Sequence, residues 1–273
     1  MLILPYHQAM VFEMTDLSYD TIGRGEPVLL IQGVGVAGCG WQPQIEILGK
    51  HFEVAWFDNR GIGNSPDSPS SVLAMSQDAL GVMDALEWPR AHVVGHSLGG
   101  VIAQQMAILA PHRIRSLGLL CTYARGRSAI SFNPADLWLN MRTAIGTQAM
   151  RRRAFFELVT DPARNISEEN ILELESVFGR NLAALPRNAM AQVFALMRWN
   201  LGKGLSIPEI PTLVISATND RVAPVAEGRL LAERWNTEWI EVAGGHALTI
   251  QDAERINYLL LNFLCSAANQ DTA

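Results

Sequence analysis

VVGHSLGGV, residues 93–101, is a short apolar run of strand character that breaks at Gly95-His96-Ser97-Leu98-Gly99 and resumes with the spacing of a helix. A lone hydroxyl with a glycine two positions away on either side suits a turn too sharp for side chains, and such a turn exposes the serine oxygen. By itself the pentapeptide is a weak signal. Its meaning depends on whether the rest of the chain supplies a strand before it, a helix after it and the partners that a reactive serine needs.

The bulk numbers narrow the classes. With 273 residues the chain is long enough for one large α/β domain or a domain carrying an insertion. A net charge of -6 speaks against a general nucleic-acid binder, because phosphate binding rests on clustered positive charge. The opening MLILPYHQAM lacks the basic region and cleavage-like site of a secretory signal, and no stretch approaches the length of a membrane span. Cys39, Cys121 and Cys265 are an odd number without metal-like spacing, as expected of a reducing compartment. The expectation is a soluble, cytoplasmic protein without nucleic-acid or membrane partners, its oligomeric state left open.

Outward from the quoted stretch, apolar runs of strand length alternate with longer periodic segments, the pattern of a mostly parallel sheet covered by helices on both faces. The strand candidates are Val28 to Ile31, Val54 to Phe57, His92 to Val94, Leu117 to Cys121, Leu213 to Ala217 and Trp239 to Val242. Helical spacing is read at Ser71 to Glu87, through Leu73, Leu80, Met83 and Leu86, and at Ser97 to Ala110, which stops at Pro111.

The alternation lapses over residues 125–207, which hold no convincing buried strand. Ser167 reads as an N-cap there, with Glu168 and Glu169 in the first turn and Ile171, Leu174, Val177 and Phe178 on one face. A second helix reads from Arg187 to about Trp199, with Gly202 as a possible stop. This stretch carries 11 Arg or Lys against 7 Asp or Glu, a net of +4, while the remainder carries 10 against 20, a net of -10. It is expected to be an inserted helical cap on a core formed by residues 1–124 and 208–273. Arg151 to Arg153 reads as a solvated face, and Trp138, Phe155, Phe156, Phe194, Met197 and Trp199 as packing, some of it around an acyl pocket.

Ser97 needs a base within hydrogen-bond reach and an acid to orient that base. Of the six histidines, His96 adjoins the serine and is expected to point elsewhere, His92 lies in a strand, and His7, His51 and His112 occupy ordinary positions. His246 follows AGG directly after the last strand candidate, where glycines let a loop bring one imidazole over the sheet edge. Asp220 follows the buried run TLVISA, giving the chain order Ser, Asp, His. The oxyanion formed when a carbonyl is attacked needs backbone donors. Leu98, at the start of the helix, offers one, and Val34 in the glycine-rich IQGVGVAG offers the other, with Gly33 and Gly35 permitting close approach.

With GHSLGG, DNRGIGNS at Asp58 to Ser65, ATNDRVAP and GGH in this order, nearly the whole chain resembles the α/β-hydrolase superfamily. The resemblance implies a mostly parallel, eight-stranded-type sheet with an inserted helical cap, and structural roles for Asp58 and Arg60. It implies that Ser97, Asp220 and His246 are catalytic and that no metal or organic cofactor is required. Gln32 departs from the histidine that usually opens the family's oxyanion loop. A serine at the elbow argues against the branches that place an aspartate there.

The expected activity is hydrolysis of a small carboxylic ester or lactone, the small molecule being the only partner implied. An enol-lactone hydrolase, a carbon-carbon bond hydrolase and a cofactor-free perhydrolase share the same triad, and a ligand receptor built on this fold is the reading from another class.

Overall fold

A computed structural model of the chain describes residues 16–129, 133–184, 186, 188–202 and 205–270. Seven strands are found among them: β1 (Tyr19–Gly23), β2 (Pro27–Ile31), β3 (Glu53–Phe57), β4 (Ala91–His96), β5 (Ile114–Leu120), β6 (Thr212–Ala217) and β7 (Trp239–Val242). They form one sheet in the order β1-β3-β2-β4-β5-β6-β7. Only β1 runs antiparallel, against β3; every other pairing is parallel.

The helices are α1 (Gln42–Leu48), α2 (Val72–Ala85), α3 (Leu98–Leu109), α4 (Pro134–Ala144), α5 (Gln148–Val159), α6 (Glu168–Phe178), α7 (Ala189–Arg198), α8 (Val225–Trp235), α9 (Leu248–Gln251) and α10 (Ala253–Gln270). Among the described residues no helix is long and apolar enough to cross a membrane.

The lack of polar alternation in the central strands has a direct cause, because both faces of the sheet are covered. In β2, Leu29 and Ile31 join the core formed with α2, α3 and α8, while Val28 and Leu30 join the core formed with α1 and α10. In β4, Val93 and Val94 divide in the same way. All six strand candidates coincide with strands to within a few residues. Cys121 falls just past the end of β5, where its backbone turns to a φ of 45°.

β1 was not anticipated from the sequence. It is an edge strand whose residues are mostly exposed, Ile22 included, so no run of buried side chains marks it. Leu73, grouped above with Leu80 and Met83, is also exposed, and α2 instead buries Val72, Met75 and Ala79.

Among the described residues between β5 and β6 are the α-helices α4 to α7 and an isolated bridge from Arg125 to Asn200. Ser167 caps α6 as expected, its hydroxyl accepting from the Asn170 amide at 3.1 Å, and Gly179 ends the helix in the left-handed region at φ 65°. The expected second helix is α7, beginning at Ala189; Arg187 lies outside the described residues. α4 and α5 were not foreseen as separate helices, since α4 buries only Leu139 and leaves Leu137, Trp138, Met141 exposed. Trp138 and Phe194 are exposed, whereas Phe156 and Trp199 are buried packing.

Nor is the arginine run wholly solvated. The Arg152 guanidinium grips both oxygens of Glu175 at 2.8 Å and reaches Glu168 at 2.7 Å, pinning α5 to α6.

Candidate active site

β4 and α3 meet at Ser97, whose backbone adopts φ 56° and ψ -122°. This is a region non-glycine residues rarely occupy, and holding it costs on the order of 1–3 kcal/mol. The glycines on either side make it possible. A Cβ on Gly95 would stand 2.3 Å from the Gly99 carbonyl oxygen, and one on Gly99 would stand 2.0 Å from the Ile31 carbonyl oxygen. The helix start is therefore pressed against the end of β2, and Ser97 is carried at the crest of the turn.

Asp220 follows β6. Its Oδ1 accepts from the amides of Val222 at 2.8 Å and Ala223 at 2.7 Å, which fixes the carboxylate. Its Oδ2 lies 2.8 Å from His246 Nδ1. Both residues are buried. The glycines before His246 do what was expected of them: Gly244 has φ 154°, and a Cβ on Gly245 would stand 2.3 Å from the Thr160 carbonyl carbon. The loop thus passes against the end of α5, where the Ala247 amide donates to the Val159 carbonyl at 2.7 Å.

Ser97 and His246 open onto one cavity of about 460 Å³, whose wall also includes Val34, Tyr123, Phe155, Val159 and Arg180. The cavity lies between the sheet's carboxyl edge and the helices α4 to α7. Val34 lines the cavity together with Ser97, and Leu98 follows Ser97 as the first residue of α3. Among the described residues neither amide has a hydrogen-bond acceptor. The neighbouring amides in the loop are taken: Gly33 donates to Gln32 Oε1 at 3.2 Å and Gly35 to Gln192 Oε1 at 3.0 Å. Gln32 therefore folds back on its own loop, while its carbonyl accepts from Asn59 at 3.1 Å. Asp58 and Arg60 stand outside the cavity wall. Asp58 accepts from the amides of Gly38 at 2.7 Å and Asn64 at 2.9 Å, and Arg60 pairs with Asp78 at 2.7 Å.

His96 does not point away, as its place in the turn suggested. Its ring lies 4.8 Å from that of His246, centroid to centroid, and its Nε2 is 2.8 Å from the His246 carbonyl oxygen, so it donates a proton there and holds the loop. Burial, and next the neighbouring His246, hold its pKa down to about 3. Between that value and the ordinary histidine value near 6.5 the unfolded chain binds the extra proton, so stability falls as the pH is lowered through this window. The loss attributable to His96 is about 2 kcal/mol at pH 5. Urea unfolding at pH 7 and pH 5 checks this: His96→Gln, which keeps a donor, should lose less stability on acidification than the wild type, and equal losses would refute the assignment.

Cys121 and Tyr123 lie against the buried Asp220. Burial first, and then the Asp220 charge, drive both pKa values well above the ordinary ones, so both groups stay protonated. Tyr123 donates to the Val222 carbonyl at 2.9 Å and lines the cavity with Ser97. Cys121 was read only as one of three cysteines and the last residue of a strand candidate, and Tyr123, two residues further on, carried no signal in the sequence.

A strained serine between a parallel strand and a helix, with a histidine bound to a fixed aspartate across the sheet edge, defines the site of the α/β hydrolases. The family model described as the alpha/beta hydrolase fold matches residues 26–253, and the chain belongs to that family. It is 32% identical over 251 residues, covering 89% of this chain and 92% of the other, to a protein of Caulobacter sp. (strain K31) named "Putative carbamate hydrolase RutD". A protein of Caulobacter segnis with the same name is 33% identical, covering 88% of this chain and 91% of the other. Among solved structures, the enol-lactonase from Burkholderia xenovorans LB400 matches with a TM-score of 0.76 and 25% identity, covering 91% of this chain and 96% of that one.

Proposed function

We propose that this α/β hydrolase is a serine hydrolase that cleaves a small carboxylic ester or lactone through an acyl-enzyme. Ser97 attacks the carbonyl, His246 takes its proton and returns it to the leaving alcohol, and Asp220 fixes the imidazole and stabilises its positive charge. The Val34 and Leu98 amides receive the oxyanion. Water then releases the acyl group by the same base catalysis. In this reading residues 125–207 form a cap over the cleft, and the cap side of the cavity sets substrate choice.

The observation that carries the proposal is the opening of Ser97, in its strained turn, onto the same cavity as an imidazole bonded at 2.8 Å to a buried aspartate. The names of the relatives favour a second reading, hydrolysis of a carbamate, which uses the same acyl transfer. Two physical points set the free carbamate ion behind an ester and leave a carbamate ester to be tested directly. A cavity of about 460 Å³ with a mostly apolar wall is far larger than a carbamate ion, and the negative charge on that ion repels an attacking oxygen.

Steady-state hydrolysis of p-nitrophenyl esters of two to eight acyl carbons, beside matched p-nitrophenyl carbamates, separates the two. The proposal expects multiple turnovers of the esters, with an optimum in acyl length set by the cavity. Carbamate turnover without ester turnover would overturn it.

A further inference from the structure

Among the described residues of the cavity wall, Arg180 is the only Lys, Arg, Asp or Glu. It follows the left-handed Gly179 that ends α6, which turns the chain back toward the glycine-rich loop. Its Nε donates to the Gly35 carbonyl at 2.9 Å, and its Nη1 donates to the carbonyls of Ala184 at 2.7 Å and Asn181 at 3.2 Å. The guanidinium carbon lies 5.1 Å from the centroid of the Phe155 ring. Each of these partners is neutral.

Among the described residues no carboxylate lies within ion-pair distance of Arg180, and its Nη2 has no hydrogen-bond partner. Glu175 is the acid whose charge it feels, yet both Glu175 oxygens are held by Arg152 at 2.8 Å, and one also accepts from the Leu182 amide at 2.7 Å. The polar groups of α4 on the same wall are already occupied: Asn140 Nδ2 donates to the Asp136 carbonyl at 2.9 Å and Thr143 Oγ1 to the Asn140 carbonyl at 2.7 Å. A guanidinium in an apolar wall, fixed by carbonyls and an aromatic face but without a counter-ion, is costly unless a ligand brings the negative charge.

From this geometry we infer that the cavity takes an anionic substrate, one whose acyl or alcohol part carries a carboxylate received by Arg180. The inference rests on the hydrolase reading above and names the substrate class for the same site. The planar guanidinium fork matches a carboxylate, and a charge-assisted pair in a partly buried setting contributes roughly 10- to 100-fold in affinity. Because Arg180 also ties α6 to Gly35, next to Val34, it could serve only as a structural tie. The test separates the two roles.

The probes are p-nitrophenyl hydrogen adipate and its isosteric neutral amide, p-nitrophenyl adipamate, with the wild type, Arg180→Lys and Arg180→Met. The expected result is a wild-type preference for the anionic ester of at least about tenfold in kcat/KM. Arg180→Met should lose roughly 10- to 100-fold on that ester, mainly through KM, and change by less than about threefold on the amide. Arg180→Lys should keep part of the preference.

A parallel loss on both esters, or no wild-type preference, would overturn the proposal and leave Arg180 as a tie. If the wild type turns over neither ester, the hydrolase reading fails separately, and calorimetric titration with four- to six-carbon dicarboxylates decides the subsite: binding lost in Arg180→Met supports it, and no binding to the wild type overturns it.

Discussion

Ser97→Ala and His246→Ala are each expected to lower kcat for an ester substrate by roughly ten-thousand- to a million-fold, and the double variant to fall no further than the worse single one. In the proposed mechanism the two side chains act on one proton. Without the imidazole the hydroxyl is a weak nucleophile, and without the hydroxyl the imidazole has nothing to activate. On the proposed mechanism, what activity remains would come from binding and from the Val34 and Leu98 amides. Measurement of kcat for all three proteins on one p-nitrophenyl ester checks this. Losses that multiply in the double variant would show that the two residues do not work as a unit.

The second large effect concerns folding. Gly99→Ala places a methyl carbon 2.0 Å from the backbone oxygen of Ile31, at the buried end of a central strand, where neither partner is a flexible side chain that can move aside. The variant should lose at least about 3 kcal/mol of stability, the range of severe overpacking, and should accumulate poorly as soluble protein. Gly202→Ala is the control, since a Cβ there meets nothing within 4 Å among the described residues. Urea denaturation of the two variants beside the wild type gives the comparison. A Gly99→Ala protein as stable as Gly202→Ala would mean that the turn is looser than the packing against Ile31 requires.

These two predictions show which parts of the molecule the sequence made legible. The central strands and the glycine-flanked serine were readable because both faces of the sheet are buried and because side chains cannot fit where the turn meets β2. Asp220 and His246 were readable from their places after β6 and β7. Edge strand β1 was not, since it buries almost nothing and so carries no apolar pattern. α4 was hidden for a related reason, its apolar residues being spread around an exposed helix.

Within the site, what escaped sequence reading depends on contacts between distant segments. His96 bonds to the backbone of a residue 150 positions away, and Arg180 to the carbonyl of one 145 positions away. Neither distance nor direction is encoded in local spacing. The net charge of +4 over residues 125–207 does not say where the cations act: Arg125, Arg152 and Arg164 are spent on ion pairs with Glu227, Glu175 and Glu173. Among the described residues of the cavity wall the one guanidinium is that of Arg180, which a count of residues cannot single out.

The claim on which the account depends is that Ser97 is the nucleophile. Reaction of the folded protein with a fluorophosphonate, followed by proteolysis and mass spectrometry, tests it most directly. The account predicts one phosphonyl group per chain, carried on the peptide containing Ser97, with labelling strongly slowed in His246→Ala. A folded protein that takes no label, or carries it on another residue, would contradict the mechanism proposed for this site.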